Sequence, residues 1–146
     1  MNSNKTQPWI FSIAPMMGVT DQHFRYLMHL VAPHALNYTA MLTAAAIFYS
    51  YKQSMFPTSD RQFAVAMQLG GADPKQLAHA AQLAQQHGYC EVNLNVGCPS
   101  DRVKSGQFGV CMMKNPPLVA QCVAAMKEVV DIPVTVKCRI GIDDDD

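Results

Sequence analysis

The chain of 146 residues holds a single tryptophan, and only 15% of its residues are charged. Its five cysteines, Cys90, Cys98, Cys111, Cys122 and Cys138, never stand as a Cys-x-x-Cys pair. An odd count without that spacing argues against a disulfide framework and a four-cysteine zinc site, so no metal is expected. No stretch reaches the ~18–20 uninterrupted apolar residues of a membrane span. Residues 1–7 lack the apolar centre of a secretory signal. A cytoplasmic protein without a membrane partner is expected. Net charge is missing too: eleven basic and eleven acidic residues cancel, and no overall field draws the chain to nucleic acid. The balance is local, because Asp143, Asp144, Asp145 and Asp146 supply four of the acids. Residues 1–142 carry eleven basic and seven acidic groups, which is compatible with phosphate contacts but no argument for them.

What is present is core material. Hydrophobic residues make up 49% of the chain, with 8 glycines and 9 prolines, which suits one globular domain and excludes collagen-like repetition or disorder. Short β-like runs alternate with amphipathic helical segments. Residues 11–14 form the first run, stopped by Pro15, and Thr20 can cap a helix over residues 21–31. Phe24, Leu27, Met28 and Val31 fall on one stripe of that helix. Residues 35–42 form a second run, followed by an alanine-rich helical stretch to about Phe48. Residues 50–61, with Pro57, Ser59 and Asp60, read as loop, and residues 63–69 as a third strand ending at Gly70-Gly71.

The next helix has the clearest signals: Asp73 as N-cap, Pro74 at the first helical position and Gln76 completing a capping box. Leu77, Ala80, Ala81 and Ala84 give its buried stripe, and Gly88 its stop. In residues 91–96, a fourth strand, Val92, Leu94 and Val96 alternate with Glu91, Asn93 and Asn95. Asn115 and Pro116 open a helix with Val119, Cys122, Val123, Met126 and Val130 inward, and residues 134–138 form a fifth strand.

Such alternation predicts an α/β fold, a parallel sheet with helices outside it. About five strands and four helices, at roughly 30 residues per unit, leave two architectures: an open doubly wound sheet, or the N-terminal part of a (β/α)8 TIM barrel of about 250 residues. Ligands of such folds sit where strands finish. Those ends hold Pro15-Met16-Met17, Gln68, Asn95-Val96-Gly97-Cys98-Pro99, and Lys137 with Arg139. Four strands thus deliver polar or backbone-special groups to one rim. A Rossmann sheet would place Gly-x-Gly-x-x-Gly after its first strand, and the sequence has none. The TIM barrel is favoured.

Within that rim, Cys98 stands between Gly97 and Pro99 beyond a strand that ends in asparagine. Gly97 permits close approach of a ligand, and Pro99 stiffens the loop that presents the thiol. Cys90, Cys111, Cys122 and Cys138 lie where a small buried hydrophobe would suit a strand or helix.

These residues carry a family resemblance across nearly the whole chain. Ala14-Pro15-Met16, Thr20-Asp21 and Ala66-Met67-Gln68-Leu69-Gly70-Gly71 match in order and spacing. So do Leu94-Asn95-Val96-Gly97-Cys98-Pro99-Ser100-Asp101-Arg102-Val103, Phe108-Gly109 and Val134-Thr135-Val136-Lys137-Cys138-Arg139-Ile140-Gly141. The sequence resembles the tRNA-dihydrouridine synthase family, in particular its A-type branch. The resemblance implies reduction of D-loop uridine in tRNA (U20/U20a) to dihydrouridine, with FMN as cofactor and NADPH as reductant. Hydride would reach C6 from reduced flavin, and a proton would reach C5 from Cys98. An ordinary thiol, with pKa about 8.5, is mostly protonated at neutral pH yet gives its proton readily.

The same resemblance makes Asn95 a group that orients the uracil edge, with a turn-forming asparagine as the competing reading. Lys137 would favour the anionic reduced flavin, unless it is merely one half of a structural ion pair. Gln68 can donate and accept at the flavin's uracil-like edge. Pro15, Met16 and Met17 would line the flavin, although methionine there also serves as core filler. Arg102, Lys104 and Lys114 would meet tRNA phosphates, making binding salt-sensitive, and the target uridine would have to be flipped out.

Two departures stand beside the match: Ala40 occupies a position where the family commonly carries glutamate, and Met17-Gly18-Val19 differs from the A-type pattern. The chain is also short, so residues 1–146 are expected to be the N-terminal portion of an FMN-binding barrel domain. The remaining strands and a tRNA-binding helical domain would lie outside it, with little FMN binding or activity from this piece alone. The competing readings are a flavin enzyme acting on a free pyrimidine or other small molecule, and a non-catalytic half-barrel. A cysteine hydrolase is disfavoured, because no motif sets His23, His29, His34, His79 or His87 beside Cys98.

Overall fold

The computed structural model describes residues 11–50, 52–56 and 62–142. Residues 1–7, the Pro57, Ser59 and Asp60 portion of the expected loop, and the closing acidic run lie outside the described residues. Six strands appear in chain order: β1 (Ser12–Ile13), β2 (Leu36–Tyr38), β3 (Leu42–Thr43), β4 (Val65–Gly70), β5 (Glu91–Asn95) and β6 (Val134–Lys137). All pairings are parallel, and the spatial order β1-β2-β4-β5-β6 is the order of the chain. A doubly wound sheet reverses its strand order at a switch point. Here the order never reverses, so successive crossovers lie on one side and the sheet curls as an arc of a parallel barrel. The half-barrel expectation holds.

The expected single run over residues 35–42 is in fact split. β2 and β3 pair with the same neighbour: Tyr38 lies opposite Ala66 and Leu42 opposite Leu69. Three residues, Thr39 to Met41, therefore face two on β4, which is a bulge in one broken strand. Thr39 closes the gap with its side chain, its hydroxyl accepting from the Gln68 backbone N–H at 3.0 Å. The Ala40 N–H turns away to the carbonyl of Thr20 at 3.3 Å.

Five α-helices occur among the described residues: α1 (Gln22–Val31), α2 (Ala44–Ser50), α3 (Pro74–Gln86), α4 (Asp101–Ser105) and α5 (Pro116–Lys127). Of these, α2, α3 and α5 cover the outer side of the sheet, whereas α4 packs on the segment Gly109–Lys114. A 3-10 turn over Gln53–Met55 and a longer 3-10 segment over Gly109–Lys114 complete the described elements. α4 and the longer 3-10 segment are additions to the four expected helices; neither is long enough to show a clear hydrophobic period. The core lies between sheet and helices. Val65, Met67 and Leu69 of β4 and Val92 and Leu94 of β5 pack against Ile47, Leu77, Ala80, Ala81, Ala84, Cys122 and Met126. Alanines on the inner stripe of α3 let that helix approach the sheet closely. Each fully buried Leu, Ile or Met adds about 1.5–3 kcal/mol of transfer free energy. Burial pushes the Cys122 thiol up to about 11, chiefly by desolvation, as it does that of Cys90. Both are neutral filler at physiological pH.

The N-caps expected at α3 and α5 are found, whereas the cap and the buried stripe expected at α1 are not. Asp73 accepts from the Lys75 and Gln76 N–H groups at 2.8 and 3.0 Å, and Asn115 accepts from the Leu118 N–H. The capping box is not closed, because the Gln76 side chain reaches the Tyr49 hydroxyl at 3.5 Å. At α1 the cap is Asp21, whose carboxylate accepts from the Phe24 N–H at 2.8 Å; that bond holds its carboxyl below the usual range. Thr20 is instead buried, its hydroxyl bridging the Met16 N–H and carbonyl. The buried residue of α1 is Arg25, which donates to the Thr20 carbonyl, while Leu27 and Val31 of the expected stripe are 55% and 69% exposed. Replacing Asp73 by alanine is expected to cost about 1 kcal/mol, read as a lower urea midpoint with an unchanged m-value.

Candidate active site

Strand parity sorts the sheet into two chemically different faces. Residues that pair share a face, so Tyr38, Ala66, Gln68, Glu91, Asn93, Asn95, Thr135 and Lys137 all project to the inner side of the arc. The apolar alternates face the helices. Glu91, Asn93 and Asn95 are buried along with their apolar neighbours, so the expected strand is covered on both faces. Buried polar groups need partners, and here they find one another. The Gln68 side-chain amide donates to the Asn93 carbonyl oxygen at 2.8 Å and accepts from the Asn95 amide at 3.0 Å. Asn93 donates to the Thr135 hydroxyl at 2.8 Å, and that hydroxyl donates to a Glu91 carboxylate oxygen at 2.6 Å. The Tyr38 hydroxyl donates to the same oxygen at 2.6 Å. Burial first, and the bond to Glu91 second, push the Tyr38 phenol well above its ordinary value.

At the strand ends this face opens into a cavity of about 480 Å³, within the usual size of small-molecule and cofactor sites. Pro15, Met17, Met41, Gln68, Asn95, Cys98, Ser100 and Phe108 are among its walls. Five of the residues singled out in the sequence meet there: Pro15, Met17, Gln68, Asn95 and Cys98. Asn95 builds the loop that holds the thiol. Its carbonyl oxygen accepts from the Gly97 and Cys98 N–H groups at 3.1 and 2.9 Å, a side-chain turn of the kind asparagine favours. On the other side, the Cys98 carbonyl accepts from the Val110 N–H at 3.1 Å. The half-buried thiol donates to the Ser100 hydroxyl at 3.5 Å.

The profile of the dihydrouridine synthase (Dus) family matches residues 12–146. The chain belongs to that family. It is 57% identical over 136 residues to the tRNA-dihydrouridine(20/20a) synthase of Salmonella typhi, covering 93% of this chain and 41% of the relative. Over 146 residues it is 53% identical to the enzyme of that name from Shewanella oneidensis, covering 100% of this chain and 43% of the relative. A third relative of that name, from Vibrio cholerae, is 56% identical over 141 residues. The chain thus spans about two-fifths of the length of these curated relatives.

Seen as a dihydrouridine synthase half-barrel, the other expected residues fall in different places. Met16 is not among the residues lining the cavity; its backbone is tied to the Thr20 hydroxyl. Lys137 lies directly across the ladder from Asn95, but it is exposed rather than closing a buried apolar strand. The cost of burying its charge does not arise, and no carboxylate among the described residues pairs with it. Arg102 lies in α4. Lys104 lines a second cavity of about 390 Å³ behind Pro99, together with Cys111, Lys114 and Arg139. Cys138 is exposed, against the expectation of burial, while Cys90 and Cys111 are intermediate. No histidine lines either cavity.

Several lining and linking residues were not expected. Met41 and Phe108 wall the cavity because the bulge and the loop after α4 bring them there. Glu91 and Asn93 are legible only as a polar face, through their two-residue period, and Thr135 only as part of a strand. Among the described residues no helix is long and apolar enough to cross a membrane, and no cluster of three metal-ligating side chains occurs.

Proposed function

We infer that this chain serves the FMN- and NADPH-dependent reduction of tRNA uridine, with residues 1–146 as the N-terminal portion of the flavin-binding barrel domain. The observation that supports the reading most directly is the meeting of Cys98, Asn95, Gln68, Pro15 and Met17 around one cavity at the strand ends. These walls suit a flat heteroaromatic ring: they combine proline and thioether surfaces with carboxamides that keep spare donor and acceptor capacity. Pro15, Met17 and Gln68 would hold the flavin, with Met16 and Lys137 at the rim beside it. Bound there, FMN supplies the hydride for C6 of the uracil.

The chain's own work is to place the ring and protonate it. Cys98 donates its thiol proton to C5, from a loop held by two bonds to Asn95 and one to Val110. Asn95 has both side-chain atoms engaged, yet one amide hydrogen remains for the uracil edge. Lys104 and Arg139, which line the cavity behind Pro99, and Arg102 would contact the phosphates flanking a uridine that has been flipped out. The family's substrate also makes a cytoplasmic location the natural reading.

A flavin enzyme acting on a free pyrimidine is the nearest rival, and one comparison separates them. The whole protein of which residues 1–146 form part, loaded with FMN, is reduced by NADPH and mixed anaerobically with unmodified tRNA or with free uracil. Flavin reoxidation by tRNA, with a mass gain of ~2 Da in the D-loop fragment, is the expected result. Reoxidation by uracil at an equal rate, or none by tRNA, would overturn the reading.

A further inference from the structure

The inner-face hydrogen bonds form a chain with one possible direction. Its upper end consists of the Gly97 and Cys98 backbone N–H groups, which can only donate, and its lower end is the Glu91 carboxylate. Between them stand three carboxamides and a hydroxyl, each able to turn either way in isolation. With donors fixed at one end and a carboxylate acceptor at the other, every member is satisfied in a single arrangement. The Cys98 N–H donates to Asn95, Asn95 to Gln68, Gln68 to Asn93, Asn93 to Thr135, and Thr135 to Glu91. Every link but the first joins different strands or spans side chains on neighbouring ones, and Gln68, Asn93 and Asn95 are each at least nine-tenths buried. A turned amide would therefore set donor against donor or acceptor against acceptor along the chain.

We propose that Glu91 is a positioning residue that acts on the Cys98 loop from the opposite end of the strand, through Thr135, Asn93, Gln68 and Asn95. It holds the Asn95 carboxamide with its oxygen toward the Gly97 and Cys98 N–H groups. Glu91 touches neither thiol nor cavity wall, so its effect must travel along these bonds. The proposal rests on the reading of Cys98 as the reacting thiol for its meaning, but not for its test.

The test is native alkylation of Cys98 by iodoacetamide across pH 6–9, followed by peptide mass spectrometry and needing neither flavin nor RNA. Glu91→Leu removes the terminal acceptor, and Thr135→Val breaks the chain with its shape kept. Both should release the loop and speed Cys98 modification about fivefold, the equivalent of ~1 kcal/mol in one hydrogen bond. Glu91→Gln still offers an acceptor oxygen and should restore the parent rate within about twofold. Tyr38→Phe removes the other donor to Glu91 without touching the chain, and should leave the rate unchanged. The double variant Glu91→Leu with Thr135→Val should be no faster than either single change, because both act on one path. An unchanged rate in folded Thr135→Val, or equal acceleration by Tyr38→Phe, would overturn the proposal. Failure of tRNA to reoxidise the flavin would instead remove the functional reading and leave this result standing.

Discussion

Replacing Cys98 by alanine in the whole protein of which residues 1–146 form part is expected to lower dihydrouridine formation by about 10²–10⁴-fold, the usual worth of a positioned general acid. The loop should survive the change. Its geometry comes from the backbone bonds to Asn95 and Val110, and among the described residues the sulfur itself has only the 3.5 Å bond to Ser100. Flavin reduction by NADPH, which needs no proton at C5, should proceed at nearly the parent rate. Cys98→Ser should fall between, since a hydroxyl reaches the same place but holds its proton far more tightly. Nucleoside analysis of tRNA after incubation gives the product, and anaerobic stopped-flow gives the flavin step. Product formation within threefold of the parent in the alanine variant would remove Cys98 from the chemistry.

The largest loss of stability from one methyl group is expected at Gly109. Its φ of +61° lies in the left-handed region, which costs an ordinary residue about 1–2 kcal/mol. A Cβ there would stand 2.7 Å from the Cys98 carbonyl oxygen, 3.4 Å from the Cys98 Cβ and hard against the Val103 side chain. Overpacking of this kind adds about 1–3 kcal/mol, so Gly109→Ala should cost about 2–5 kcal/mol in all. Gly18 is the comparison: its φ is +74°, but nothing lies within 4 Å of its added Cβ. Gly18→Ala should show the backbone cost alone. Urea unfolding of the two variants measures the difference, and equal midpoints would mean that crowding at the Cys98 loop is absorbed without cost. The displaced loop should also leave the Gly109 variant poorly active.

Local chemistry was legible wherever one residue's own side chain decides the outcome. Asp73 and Asn115 cap their helices as read, and the alternation of Glu91 to Val96 assigned each residue to its correct face. Thr20 misled because a neighbour, Asp21, took the cap, while the hydroxyl was drawn into the turn at Met16. The apolar stripe of α1 misled for another reason: amphipathic spacing shows which face is greasy, not what is available to cover it. Lys137 illustrates the same gap, since charge at the end of an apolar strand implies burial only if the strand is covered. Met41 and Phe108 enter the cavity through a bulge and the loop after α4, features that leave no period in sequence. The chain from Glu91 to Cys98 depends on pairings such as Gln68 with Asn93, 25 residues apart, which only the strand register could disclose.

Strand order has a bearing on how this molecule comes into being. Because each strand pairs with those nearest to it along the chain, no pairing must wait for a distant segment; Asn93 and Thr135, 42 residues apart, are among the farthest-joined partners in the sheet. Such a sheet can grow by accretion, one strand–helix unit docking on the last as it leaves the ribosome. Docking in that order puts β4 and then β5 in place before the thiol loop that follows β5, so the loop settles against strands already paired.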